Sequence, residues 1–526
     1  MTSALSTADL LATPPAQSSR RGHEAALRTS ATHRRVAIIG AGFGGLGMAV
    51  RLLQRGERDF VVLEKGSEVG GTWRDNTYPG CQCDVASNMY SFSFAPNPNW
   101  SRTYATQPEI LEYLKGVADR FGARPFIRFD TEVRAARWDE RAQHWVVETN
   151  RGTFTADVLV SGHGGLSAPS TPDVPGIERF RGAVFHSAAW NHEHSLAGER
   201  VAVIGTGASA IQIVPNIQPV VKELIVFQRT APWVVPRLDA PFSAAKRSAF
   251  RFFPFLQKLD RLRLYLFREL LVLGMRGDER VLGAMKKVGT MHLEAQVTDP
   301  VLREKLRPKF EIGCKRVLIS NDYYPALAAS NAKLVTEGIR EVTETGIFTK
   351  DGTFHEVDSI VLATGFKVTN HPIMERFFGK DGRSLTEHWG ETMSAYLGTT
   401  VPGFPNFFLL TGPNTGLGHN SIVYMLESQF EYVLGALDAL RDRRAGSLDV
   451  KPEAVRAFDA EMQERLQGTV WNSGCASWYL DAKGRNTTVW PSFTWEFRKR
   501  TRHFDEGAYT FAPRFDPVSA PAHATA

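Results

Sequence analysis

Two short segments constrain the fold more than anything else in the chain. Residues 35–65, RVAIIGAGFGGLGMAVRLLQRGERDFVVLEK, and residues 200–230, RVAVIGTGASAIQIVPNIQPVVKELIVFQRT, follow one order: a β-branched run, a glycine turn, an apolar helical stretch and a second β-branched run. That order describes one βαβ unit. Two copies predict an α/β chain with two dinucleotide-binding, Rossmann-like domains.

In the first unit Gly40, Gly42 and Gly45 stand at GxGxxG spacing directly after the strand VAII. The first glycine permits the tight turn, the second lets backbone approach a pyrophosphate, and the third lets helix and strand pack closely. The phosphates are then expected at the helix N-terminus, where free N–H groups and the helix dipole favour negative charge. Glu64, 24 residues after Gly40, ends the second strand, where a carboxylate can accept hydrogen bonds from ribose hydroxyls. In the second unit Gly205, Thr206, Gly207, Ser209 and Ala210 form the corresponding turn, with Ala at the third position. Arg229 stands at the same 24-residue offset, followed by Thr230. A carboxylate there would repel a 2′-phosphate, whereas a guanidinium grips one through charge-assisted hydrogen bonds. The acid-type unit therefore points to FAD and the base-type unit to NADPH, a pairing that predicts hydride transfer into a flavin.

The rest of the 526 residues is arranged around these units. We expect tails at 1–33 and 516–526, the first part of the FAD domain at 34–165, and the NADPH domain at 166–365. The second part of the FAD domain, with a C-terminal loop, is expected at 366–515. Within the NADPH domain a helical insert is expected at about 237–310, as in FRFFPFLQKLDRLRLYLFRELLVLGMR. Its apolar content exceeds what one face needs and predicts burial against the second unit; the alternative is a basic amphipathic helix in weak peripheral contact with a membrane. No segment reaches eighteen apolar residues, so no membrane-spanning helix is expected. The N-terminal stretch lacks the apolar run of a secretory signal, which leaves a cytoplasmic setting. With 43% hydrophobic and 22% charged residues the chain is not disordered or collagenous. A net charge of +6 without long basic runs does not point to nucleic acid, and none is expected as a partner. Four cysteines, Cys81, Cys83, Cys314 and Cys475, include no CxxC pair, so neither a dithiol redox centre nor a metal is assigned, and Cys81 and Cys83 are read as packed thiols.

Between the units Phe180, Gly182, His186 and Trp190, followed by Asn191, spell FxGxxxHxxxW. This resembles the fingerprint of the class B flavoprotein monooxygenases, which in the Baeyer-Villiger type continues with Pro or Asp. The resemblance extends over about residues 34–510, through GGTWRDNTYPGCQCD at 70–84, GCKR at 313–316, ATGF at 363–366, GPNTGLGHNS and SWYLDAKGRNTT. The last two are similar to the 4-hydroxyacetophenone monooxygenase-like branch. It implies that Gly71, Thr72, Trp73 and Tyr78 pack near the flavin and that Lys315 joins Arg229 and Thr230 on the 2′-phosphate. It further implies a catalytic Arg316 oriented by Asp84, a Trp478 on a mobile loop over the nicotinamide, and a His186 that couples nicotinamide binding to catalysis. The implied reaction uses NADPH and O₂ to form a peroxyflavin that attacks a ketone and yields an ester or lactone. An arginine beside the reacting oxygen favours its anionic form, which carbonyl attack needs and heteroatom oxygenation does not. The alternatives left open are an N- or S-oxygenase of the same class and a non-enzymatic flavoprotein. The ketone and the oligomeric state are not specified by these residues.

Overall fold

The computed structural model describes residues 32–515, so most of both predicted tails lies outside the described residues. The first predicted unit folds as β1 (Thr32–Ile39), α1 (Phe43–Gln54) and β2 (Phe60–Leu63), with β1 and β2 parallel and in register from Val36 opposite Phe60 to Ile39 opposite Leu63. On its other side β1 pairs in parallel with β3 (Gly152–Ser161). These strands are the centre of an eight-stranded mixed sheet. The strand Phe407–Leu409 joins β3 in parallel, bringing the C-terminal third of the chain back to the first unit.

The second unit forms a separate five-stranded sheet, parallel throughout. Here β4 (Ala183–His186) lies at one edge, and β5 (Arg200–Ile204), α2 (Ala210–Ile217) and β6 (Glu223–Phe227) make the predicted βαβ. β7 (Ser359–Leu362) runs between β4 and β5. Val201, Ala202 and Val203 of β5 are fully buried, the pattern of a strand covered on both faces. The chain enters and leaves this sheet along paired tracks. Pro169 bridges Phe366, Ser170 N–H donates to Gly365 O at 2.8 Å, and Lys367 N–H donates to Ala168 O at 2.9 Å.

The predicted insert is helical, at Ala244–Phe252, α3 (Pro254–Met275), Glu279–Gln296 and Pro300–Leu306. The expected burial of its apolar residues holds for part of the insert: Phe250, Val272, Met275, Leu293, Val297 and Leu306 are buried. Leu256, Leu264 and Tyr265 pack against the core, but Phe252, Phe253, Phe255 and Leu259 stand more than half exposed. The reason is that the inward face of α3 is held by polar bonds, described below. α4 (Ile422–Asp442) begins at Ser421, whose side chain accepts from Val423 N–H, and is buried on nearly every side, with Met425 to Phe430 and Tyr432 to Leu434 all buried. Among the described residues no helix is long and apolar enough to cross a membrane.

Candidate active site

The two glycine turns repeat one another closely. Gly40 N–H donates to Leu63 O at 2.8 Å and Gly205 N–H donates to Phe227 O at 3.2 Å, so each turn is tied to the end of the neighbouring strand. Gly40 takes φ +89° and Gly205 φ +114°, values that side-chain-bearing residues rarely adopt. A Cβ on Gly45 would collide with the Gly40 carbonyl oxygen, and one on Gly205 with the Ala363 carbonyl oxygen. Gly42 and Gly207 differ: a Cβ on Gly42 would come no nearer than 3.6 Å to Gly71 Cα, and one on Gly207 would meet nothing within 4 Å. The second glycine of each turn thus opens the cradle in which a pyrophosphate would sit on the first turn of the helix. Ala210, at the third position of the second turn, is fully buried, while Thr206 Oγ1 donates to Thr230 O at 3.2 Å and Ser209 O accepts Ile213 N–H at 2.9 Å.

Glu64 follows β2 and is buried. Its Oε2 accepts Ala41 N–H at 2.7 Å, and its Oε1 accepts Gly66 N–H and Arg74 Nη1, both at 2.7 Å. Oε2, with a single donor, keeps acceptor capacity for a ribose hydroxyl. Gly71 takes φ +52° and begins the short helix Thr72–Asp75. Trp73 is buried, and its Nε1 donates to Tyr90 OH at 3.1 Å. The Tyr78 hydroxyl donates to Gln212 Oε1 at 3.1 Å, and Gln212 Nε2 donates back to Gln82 O at 3.0 Å. Gln212 lies on α2, so this small network fastens the first unit's 78–82 segment to the second unit's helix.

Arg229 is exposed and Lys315 is half-buried. Burial pushes the Lys315 ammonium below its usual value, and the neighbouring Arg229 charge pushes it the same way. Lys315 Nζ lies 4.9 Å from the Phe310 ring centroid. The Arg229 and Lys315 charges therefore act on one another, and an anion between them would relieve their repulsion.

Asp84 and Arg316, separated by 232 residues, meet as a bidentate pair. Arg316 Nε donates to Asp84 Oδ2 at 2.7 Å and Nη2 donates to Oδ1 at 2.8 Å, while Nη1 reaches Leu417 O at 3.3 Å. The side chains keep 29% and 26% exposure, enough to face a ligand while remaining fixed. Burial alone would raise the Asp84 carboxyl, but the charge and hydrogen bonds of Arg316 overcome it and hold the group below the usual carboxylate value. The same pairing raises Arg316 further, so it carries a fixed charge. Arg268, from α3, donates to Asp84 O at 3.3 Å.

Sequence spacing gave no sign of the disulfide that lies beside this pair. Cys314 bonds to Cys475 across 161 residues, which ties the turn bearing Lys315 and Arg316 to the loop bearing Trp478 and Tyr479. Trp478 is 44% exposed and packs on Tyr479, with ring centroids 4.4 Å apart. Tyr479 is buried next to Arg316, and burial pushes its hydroxyl up to about 12. Cys81 and Cys83 are free and buried, as expected.

His186 ends β4, where it pairs with Leu362 and packs edge-on against Phe366 of the ATGF turn, centroids 5.9 Å apart. Its Nδ1 accepts Ala188 N–H at 3.0 Å, and burial lowers its pKa. It therefore belongs to the second sheet and packs on the paired tracks that join the sheets, through Phe366. Asn191 Oδ1 accepts Glu193 N–H at 3.1 Å, the same turn-capping bond an Asp would make, which gives a physical reason for Asn at the fingerprint's last position. His419 and Asn420 precede α4. Asn420 Nδ2 donates to the buried Glu269 of α3, and His419 Nε2 lies 3.5 Å from the same carboxylate.

Comparison with known proteins agrees with this geometry. Residues 37–243 match a family model described as pyridine nucleotide-disulphide oxidoreductase. The chain is 54% identical over 481 residues to a Baeyer-Villiger monooxygenase of Streptomyces coelicolor, covering 91% of this chain and 92% of that one. It is 50% identical over 484 residues to a Baeyer-Villiger monooxygenase of Pseudomonas aeruginosa, with 91% and 92% covered. Among solved structures, an oxidized steroid monooxygenase bound to NADP superposes with TM-score 0.81 at 33% identity, over 91% of this chain and 100% of that chain. An OTEMO complex with FAD and NADP superposes with TM-score 0.82 at 30% identity, over 92% and 100%. Two Rossmann-type turns, a fixed Arg–Asp pair and near full-length similarity lead to one assignment: the chain belongs to the Baeyer-Villiger monooxygenase family.

Proposed function

We propose that the chain is an FAD-containing, NADPH- and O₂-dependent Baeyer-Villiger monooxygenase that converts a ketone into an ester or lactone. The observation that carries this reading is the bidentate Arg316–Asp84 pair. The residues present fit both cofactors. The open cradle at Gly42, the remaining acceptor capacity of Glu64 and the nearby Gly71–Trp73 segment would hold FAD. The cradle at Gly207 and the adjacent Arg229 and Lys315 would hold NADPH, with Thr206, Ser209, Ala210 and Thr230 shaping that turn. A bound flavin supplies hydride acceptance from the nicotinamide and activation of O₂.

The residues of the chain have three tasks. Arg316 places a permanent cation where negative charge gathers on the attacking oxygen and on the substrate carbonyl oxygen, which favours the anionic nucleophile and stabilises the developing oxyanion. Asp84 fixes the guanidinium through two parallel hydrogen bonds and partly offsets its charge, so Arg316 does not swing into solvent. Trp478 and the disulfide-tethered loop around it cover the site and exclude water. His186 acts as a positioning residue on the connection between the sheets.

The test is product analysis with NADPH, O₂, linear, aryl and cyclic ketones, and one sulfide. Ester or lactone formed in step with NADPH consumption is expected. Sulfoxide formation with only H₂O₂ released in the presence of every ketone would replace this reading with an S-oxygenase.

A further inference from the structure

The helix α3 differs from an ordinary surface helix in what it turns outward. Its inward face mixes the apolar Leu256, Leu264, Tyr265, Val272 and Met275 with a row of polar anchors. Gln257 Nε2 donates to Asn88 Oδ1 at 2.9 Å and Asn97 O at 2.7 Å, and Arg261 Nη1 donates to Asn88 O at 2.6 Å and Ser91 O at 2.9 Å. Further along, Arg268 reaches Asp84 O, and the buried Glu269 accepts from Thr494 N–H at 2.9 Å and Thr494 Oγ1 at 2.7 Å. These bonds are spread over the length of the helix and lock its rotation. The outward face is apolar: Phe255, Leu259, Leu262, Leu266, Phe267 and Leu270 are each at least 50% exposed. Phe255 to Leu270 recur at helical spacing and form a stripe about 22 Å long at 1.5 Å per residue. Rotating the helix to bury that stripe would break every inward bond just named, so the stripe belongs to the folded state and needs another covering.

The charge around the stripe identifies the covering. Residues 244–275 carry seven Lys and Arg against two carboxylates, Asp260 and Glu269. The segment therefore holds five of the chain's six net positive charges. Both carboxylates are engaged within the protein: Glu269 as above, and Asp260 with Asn88 Nδ2 at 2.8 Å and Arg263 at 3.3 Å. What faces outward is aliphatic and aromatic surface interleaved with Lys258 and Arg263, with Arg251 at the N-terminal end. A second copy packed about a two-fold axis would set Lys258 and Arg251 against their own equivalents, the segment's exposed Arg263 having only the partly buried Asp260 beside it. Anionic lipid headgroups would pair them while the acyl region takes up the stripe.

We propose that α3 is a monotopic docking surface by which the protein lies on an anionic lipid bilayer, its apolar stripe in the headgroup–acyl boundary. The opposite face of the same helix touches Asp84 and the His419–Asn420 turn, so docking sets the candidate active site just behind the bilayer surface. Docking through this face does not depend on which reaction the site performs.

The test is flotation of the full-length, FAD-loaded protein with phosphatidylcholine vesicles with and without phosphatidylglycerol, alongside light scattering for mass. The wild type is expected to float with the phosphatidylglycerol vesicles and to be released by high salt. Leu259→Glu/Leu266→Glu, altering two exposed side chains, is expected to lose at least about 90% of the floated fraction. Lys258→Glu/Arg263→Glu is expected to weaken binding by about tenfold or more, since each cation near an anionic surface contributes about 1 kcal/mol. Both variants should retain the wild-type flavin spectrum. Equal flotation with neutral vesicles, or flotation unchanged in the leucine variant, overturns the proposal. So does a wild type that floats with neither vesicle, whether it is a monomer or a dimer that the leucine variant dissociates; the dimer would show that a second copy covers α3.

Discussion

Cutting the Cys314–Cys475 bond tests how the loop over the candidate site is held. The perturbation is Cys475→Ser. The bond closes a loop of 161 residues, and the chain-entropy relation gives about 5 kcal/mol of denatured-state restriction for a loop of that size. Disulfides commonly deliver half of this or less, so about 2–3 kcal/mol of stability is expected to be lost. At roughly 1 °C per kcal/mol for a chain of 526 residues, the melting midpoint should fall by about 2–3 °C. The functional effect should be larger than the thermal one. Cys475 precedes Trp478 and Tyr479 by a few residues and Cys314 precedes Arg316 by two, so the variant frees the loop from the turn that carries the arginine. Water then reaches the site, and the share of NADPH consumed as H₂O₂ should rise several-fold with little change in flavin reduction. Thiol titration of the denatured, unreduced wild type should count two thiols, Cys81 and Cys83. Four titratable thiols in freshly purified wild type, or a Cys475→Ser variant with unchanged melting and unchanged coupling of NADPH to product, would refute the reasoning.

Three further outcomes are expected. Arg229→Ala should raise the KM for NADPH by about 10- to 100-fold, the equivalent of one lost charge-assisted hydrogen bond, and leave the KM for NADH nearly unchanged; equal losses for both nucleotides would remove Arg229 from the 2′-phosphate site. Asp84→Asn keeps the size of the side chain but removes its charge, and should lower ester formation by about 10²-fold through misplacement of Arg316 while flavin reduction survives; steady-state product yield against anaerobic reduction separates the two. Stability should fall on acidification below the usual histidine pKa of about 6.5. Burial holds His163 at about 3 and His371 at about 4, so over this window the unfolded chain takes up protons that the folded one does not. Asp84, depressed in the folded state, adds stability above the usual carboxylate value that is lost as pH falls through its own value. Denaturant midpoints from pH 8 to 4.5 check this, and His371→Gln should flatten the slope.

The sequence made local features plain and distant ones obscure. Both βαβ units were legible because each strand, turn and helix signals within about thirty residues, and the structure pairs β1 with β2 and β5 with β6 in parallel. The Asp84–Arg316 pair was reached through family resemblance alone, since nothing in the chain between them marks two residues 232 positions apart as neighbours. The Cys314–Cys475 bond, the Gln212 link to Tyr78 and Gln82, and the place of Tyr479 beside Arg316 were missed for the same reason. The insert shows a different limit. Helical spacing of Phe255, Leu259, Leu262, Leu266 and Leu270 announces an apolar face but does not say which way that face points. That direction is fixed by Gln257, Arg261 and Glu269, whose partners lie far away in the chain.

The reaction assignment rests on Arg316, and Arg316→Ala tests it most directly. The measurement is a paired one on the FAD-loaded variant: anaerobic flavin reduction by NADPH in a stopped-flow instrument, and ester or lactone formed per NADPH consumed in air with the best ketone of the wild type. Reduction within a few-fold of wild type together with loss of about 10²- to 10³-fold in ester formation is the predicted result, the scale seen when a charge-stabilising donor is removed from a reacting oxyanion. Ester formation at the wild-type rate would contradict the account.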